Sequence, residues 1–274
     1  MEGAPRLSVC KLARIRLNAK DPAALAGFFT EALGFVREPA RGQTEFLALG
    51  PSRLEIAPVI GAPYPAEVPA WSPLFQHFAI SIRDISGAYA RLRRAGGWTA
   101  ISTDGPQRLP ASSGGVTAFK FRSPEGHPLE LISAAAGETP RIDHSAISVA
   151  DTAESVAFYA GLGLRRGVGS RNRGPEQDRL DALTGADVEV TALLPSAGVT
   201  HVELLAYHHR PAGALAAARP DDVAATRLVF AADRPTMEAL RHRHHRGLPG
   251  PVPLLRDPDG HLLQFELEAP QGVA

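Results

Sequence analysis

Along the chain, a stretch in which apolar and polar residues alternate gives way to an Asp. Apolar residues then recur every three to four positions. This succession occurs four times, over 14–21, 77–84, 144–151 and 226–233, each followed by about three helical turns. Alternation is the signature of a half-buried strand, and the longer period that of an amphipathic helix. Asp21, Asp84, Asp151 and Asp233 stand at the junctions, where a carboxylate accepts from the unpaired N–H groups of a first turn. Pro22 suits a first helical position, and Gly34, Gly96, Gly163 and Gly247 suit helix ends.

Each helix is followed by a pair of strand patterns: 45–49 with 53–57, 116–121 with 127–132, 188–194 with 201–205, and 252–255 with 261–267. The turns Ser123-Pro124-Glu125-Gly126 and Asp257-Pro258-Asp259-Gly260 join two of these pairs. In the fourth copy the middle strand has little room between Gly247 and Leu255. The reading is an α+β protein of tandem βαβββ units spanning 14–57, 77–133, 144–207 and 226–268. Linkers at 58–73, 134–140 and 210–222 separate them, and two domains of two units each are expected, 1–136 and 137–274. Excursions at 102–115 and 171–183 are long enough to serve as binding loops, with Gln107, Ser113, Asn172, Glu176 and Gln177 as gating candidates.

Strand parity separates the faces. In the second copy Phe78, Ile80 and Ile82 oppose His77, Ala79 and Ser81; in the third, Ile147 and Val149 oppose His144, Ala146 and Ser148. The aliphatic set should meet the helix, leaving one imidazole and two small side chains on the other face. The first copy places Arg14, Arg16 and Asn18 there, and alignment on the Asp places Thr226, Leu228 and Phe230 there in the fourth.

Composition narrows the function. The 29 basic residues balance 29 acidic ones, so no whole-chain field favours nucleic acid or an anionic membrane. A single cysteine, Cys10, permits no internal disulfide or Cys-rich zinc module. No apolar run approaches the ~20 residues of a bilayer span, and no leader peptide is expected at the start, which favours the cytoplasm. Phosphate-binding glycine loops and a nucleophile elbow are missing. His127 and His261, after turn glycines, are read as structural, and His242, His244 and His245 as a wet helix end.

The repeated βαβββ unit, its Asp-capped helices and its Pro-Asp-Gly-His turn resemble the vicinal oxygen chelate superfamily, which includes glyoxalase I, epimerases, extradiol dioxygenases and bleomycin-resistance proteins. The resemblance implies two cupped mixed β-sheets with helices outside and one divalent metal held by first and last strands. Its carboxylate position reads Glu55, Glu130, Glu203 and Gln264. His77, Glu130, His144 and Glu203 are therefore the expected metal ligands, collected in one cup if the middle units pair; pairing first with second and third with fourth would split them. Such a set suits Zn, Ni, Co, Fe or Mn. The implied activity is that of a lyase or isomerase of the glyoxalase or epimerase type. A small molecule would lose a proton next to a carbonyl, the metal would stabilise the resulting enediolate, and Glu130 or Glu203 would be the catalytic base. An Fe(II) ring-cleaving dioxygenase is the first alternative. A non-enzymatic antibiotic-binding cup flanked by Trp71, Phe75 and Trp98 is the second. A monomer or homodimer is compatible with four units.

Overall fold

The structure, a computed structural model, describes residues 7–208, 217–244 and 253–268, without the side chains of 241–244. Gly247 and the side chains of the His242, His244 and His245 cluster lie outside the described residues. The first unit runs β1 (Val9–Ala19), α1 (Pro22–Leu33), β2 (Val36–Arg41), β3 (Thr44–Leu49) and β4 (Ser52–Pro58). The second has β5 (His77–Ile82), α2 (Ile85–Ala95), β6 (Thr99–Ala100), β7 (Gln107–Arg108), β8 (Thr117–Arg122) and β9 (Pro128–Ser133). The third comprises β10 (Arg141–Ser148), α3 (Thr152–Gly161), β11 (Arg165–Arg173), α4 (Pro175–Asp181), β12 (Asp187–Leu194) and β13 (His201–Tyr207). The fourth has β14 (Arg227–Ala232), α5 (Arg234–His244), the short β15 (Leu254–Arg256) and β16 (Leu262–Leu267).

All four junction Asp residues cap their helices. Asp21 accepts from the Ala24 N–H, Asp84 from Gly87, Asp151 from Ala153 and Glu154, and Asp233 from Thr236. Gly34 ends α1 at φ 78°, a left-handed conformation that a side chain would strain.

The units pair first with fourth and second with third. One sheet has the order β15-β16-β14-β1-β4-β3-β2, the other β11-β12-β13-β10-β5-β9-β8-β6 with β7 added on β8. At the centre of each, the first strands of two units run antiparallel, β1 with β14 and β5 with β10. Within each unit the first strand lies parallel to the last. The hydrophobic cores divide the chain the other way. Ile15, Leu17, Leu25 and Phe29 pack with Phe78, Ile80, Leu92 and Leu131, whereas Ile147, Tyr159 and Leu204 pack with Phe230, Leu240 and Phe265. Sheets thus join the two halves of the chain; these two cores lie mainly within one half each, and a third cluster packs Tyr64 and Phe75 against Ala146, Val190 and Tyr207 across the halves.

The turns resembling one another in sequence tie the sheets together. Glu125 accepts from the Lys20 and Asp21 N–H groups, and His127 Nε2 lies 2.9 Å from the Asn18 carbonyl oxygen. Asp259 accepts from the Ala150 N–H, and His261 Nε2 lies 2.9 Å from the Ser148 carbonyl oxygen. Burial lowers the His127 pKa from 6.5 to about 4, so this imidazole stays neutral and donates.

One expected face is reversed. In unit four Leu228, Phe230 and Ala232 join the core, so Arg227, Val229 and Ala231 face the cup instead of Thr226, Leu228 and Phe230. The strand ends at Ala232, directly before Asp233, whereas Lys20 and Arg83 intervene at the first two junctions. One residue fewer at that junction turns every side chain over.

Candidate metal centre

The inner cup is built from the strand ladder. In the β5–β10 pair His144 faces Ala79 and Ala146 faces His77, so the two imidazoles stand on neighbouring strands with their centroids 6.3 Å apart. Parallel pairing sets Glu130 beside Ala79 and Glu203 beside Ala146. Those alanines leave space between the four longer side chains. Glu130 Oε2 lies 3.3 Å from His77 Nε2 and 3.7 Å from His144 Nε2; Glu203 Oε2 lies 3.5 Å from the same His144 nitrogen. His77, Glu130 and His144 each offer a ligand atom within 4.8 Å of the others, and Glu203 joins them through His144. All four expected residues line one cavity of about 510 Å³.

The two carboxylates differ. Glu130 is 8% exposed and Glu203 23%. Burial alone would raise the Glu130 pKa, but Lys120 and the two imidazoles outweigh it and hold the group well below the usual carboxylate range. Glu203 is also lowered, burial being outweighed by His144 and His201. Burial pulls His144 down, yet Glu203, Asp143 and Glu130 keep it well above its ordinary value. His77 is lowered by burial and by Lys120.

The donor set fits a divalent cation. Two imidazoles and two carboxylates converge, and His77 Nδ1 is buried without a hydrogen-bond partner. Asp143 Oδ2 lies 3.2 Å from His144 Nδ1, a carboxylate behind a candidate histidine ligand. His144 and His201 also form a second close group with Asp143. His201 Nε2 is 3.4 Å from Glu203.

Several residues at this site lie outside the sequence reading. Lys120 pairs with Glu130 across β8 and β9, and its Nζ contacts Asp181 at 2.7 Å. Tyr207 and Gln177 both donate to the other oxygen of Asp181. A signal existed for Lys120, which stands between the core residues Phe119 and Phe121 and so must face the cup. Of the loop candidates, Ser113, Asn172 and Gln177 line the cavity; Gln107 and Glu176 instead contact Arg179. Trp71, Phe75 and Trp98 do not line it. Phe75 packs edge-on against His77, and Trp98 against Phe119 and Phe121.

In the outer cup, guanidinium groups occupy the corresponding space. Arg14 and Arg16 contact opposite oxygens of Glu55 at 2.6 and 2.8 Å, Arg14 also reaches Glu266, and Arg227 donates to Gln264.

Comparison with known proteins agrees with this architecture. Residues 11–131 match the family model described as Glyoxalase/Bleomycin resistance protein/Dioxygenase superfamily. Glyoxalase I from Zea mays is similar over 92% of this chain and 90% of its own, at 17% identity and a TM-score of 0.61. A V278E variant of the maize enzyme gives 0.63 over the same shares of the chains, again at 17% identity. No curated protein matches. None of the described helices is long and apolar enough to cross a membrane. Over residues 11–131 the chain is similar to the Glyoxalase/Bleomycin resistance protein/Dioxygenase superfamily, and over 92% of its length its architecture is that of the glyoxalase fold.

Proposed function

We propose that this protein is a divalent-metal-dependent enzyme that removes a proton next to a carbonyl of a small molecule, as a lyase or isomerase of the glyoxalase or epimerase type. The supporting observation is the convergence of His77, Glu130, His144 and Glu203 in one cavity. We propose these four as the metal ligands and the halves 1–136 and 137–274 as the two domains. Those residues would hold a divalent cation, which would supply polarisation of the carbonyl and stabilisation of the negative charge left by the proton.

The side chains divide the remaining work. Glu130 is anchored between two imidazoles and opposite Lys120, so it holds position. Glu203 has the greater exposure and lies beside His201, which makes it the better candidate for the base that takes the proton. The Asp143 carboxylate orients His144 by accepting from Nδ1, leaving Nε2 for the cavity. The aliphatic walls, Leu109, Val190 and Leu205 among them, exclude water from the reacting carbon.

Metal analysis of the purified chain tests the reading: about one divalent ion per chain, lost in His77→Ala and in His144→Ala. Unchanged metal in both variants would overturn it. One observation favours a second reading. His77, Glu130 and His144, whose ligand atoms lie within 4.8 Å of one another, make two histidines and one carboxylate, the set that non-haem iron oxygenases use. Oxygen uptake with a catechol after anaerobic Fe(II) loading would select the dioxygenase.

A further inference from the structure

Gln177 sits on α4, the helix within the long excursion of unit three, and it is 4% exposed on the cavity wall. Its amide orientation is fixed by chemistry. Nε2 lies 2.7 Å from Asp181 Oδ2, and that carboxylate already accepts from Lys120 Nζ and the Tyr207 hydroxyl. An ionised carboxylate only accepts, so the amide nitrogen must face it. The amide oxygen is left over, and Gln177 Oε1 is buried with no hydrogen-bond partner. A buried acceptor without a donor is costly, and such groups in a ligand cavity are met by a ligand or by water. Lys120, joined to Gln177 through Asp181, lines this wall too and adds ammonium N–H groups. Leu109, Val116, Ile132, Val190 and Leu205 give the wall its aliphatic part, and Ser112, Ser113, Ser170 and Asn172 add polar groups to it.

We propose that Gln177 is a specificity-determining residue: its side-chain oxygen accepts a hydrogen bond from a hydroxyl or N–H group on the ligand. The ligand class is then a small molecule with two adjacent oxygens at one end and a separate hydrogen-bond donor on its body. This rests on the chelating cup described above and adds what reads the other end of its occupant. A hydroxyl fits best, because it can donate to Gln177 and still accept from an ammonium such as that of Lys120 on the same wall. The cavity, about 510 Å³, is within the size range of small-molecule sites.

The test uses unreactive probes on the purified, metal-containing protein. Benzohydroxamate supplies two adjacent oxygens; its 3- and 4-hydroxy derivatives add a donor, and the 3- and 4-methyl derivatives add equal bulk without one. By titration calorimetry, the better hydroxyl probe should bind about tenfold or more tightly than its methyl counterpart. In Gln177→Leu, and in Gln177→Met as a second variant, that preference should vanish while benzohydroxamate itself binds within about twofold of wild type. No preference in the wild type, or a preference that survives both variants, overturns the assignment and leaves the metal cup standing. Failure of benzohydroxamate to bind the metal-containing protein overturns the chelating cup and this inference together. The wild-type comparison alone decides the matter if neither variant folds.

Discussion

In the inner cup Glu130 stands beside Ala79 and meets two imidazoles; in the outer cup Glu55 stands beside Arg16 and meets two guanidiniums. The frame is shared. Each last-strand position pairs with the residue two beyond the first-strand ligand position: Ala79 with Glu130, Ala146 with Glu203, Arg16 with Glu55 and Val229 with Gln264. That register equates Arg14 and Arg227 with His77 and His144. On the proposed reading the inner cup takes its central positive charge from a cation in solution, whereas the outer cup carries it on its own side chains. Convergent strands therefore make a meeting place for charge, and residue type decides whether that place binds or braces.

The largest effect should come from breaking the brace. Glu55 is buried and holds Arg14 and Arg16 together. Glu55→Ala leaves Arg16 without its carboxylate and should cost about 3–5 kcal/mol in urea unfolding, with metal content unchanged. The equivalent change at Glu203, which is 23% exposed, should cost less fold stability but abolish the proposed metal's full affinity. Equal stability losses at the two positions would erase the distinction between the cups.

The next effect tests the tie between the two sheets. His127 belongs to a turn of the inner sheet and binds the Asn18 carbonyl of the outer sheet. Its folded pKa is about 4 against 6.5 in the unfolded chain. Above pH 6.5 neither state carries the proton, and the stability is fully present. As pH falls toward 4 the unfolded chain takes up a proton that the folded chain refuses, and about 3 kcal/mol is lost. His127→Gln should flatten this part of the stability–pH curve between pH 7 and pH 4. An unchanged slope would show that another group governs acid unfolding.

A smaller effect sharpens the inner cup. Asp143→Asn weakens the acceptor behind His144 Nδ1 while Arg141 keeps its contact with Glu138. Divalent-metal affinity should fall about 10–100-fold with little change in the melting temperature of the metal-free chain. An unchanged affinity would leave Asp143 as a partner of Arg141 alone.

The residues that reveal the fold in sequence are those under local rules. The four Asp caps and the strand alternation act over a few positions, so they survive reading without coordinates. The inner cup was legible because His77 and His144 sit in the same His-Ala-Ser frame, with Glu130 and Glu203 on the family's carboxylate position. Lys120 comes from the second unit and Asp181 and Tyr207 from the third, and they meet only through sheet pairing and α4, which no local pattern encodes. Asp143 was hidden by a register irregularity between Ile142 and His144, which sets it beside the neighbouring imidazole.

Unit four is where local reading failed, and it supplies the smallest test of the comparison. Aligned on Asp233, Thr226 would be the counterpart of His77 and the outer cup would hold a hydroxyl there. The ladder instead gives that place to Arg227, which bonds Gln264. Thr226 Oγ1 is then a buried hydroxyl with no hydrogen-bond partner, contributing only the cost of having left water. Thr226→Val keeps the shape and removes that cost, so stability should stay level or rise by up to about 1 kcal/mol. A loss of more than about 1 kcal/mol would mean that the hydroxyl is engaged after all, and that the register placing Arg227 in the outer cup is wrong.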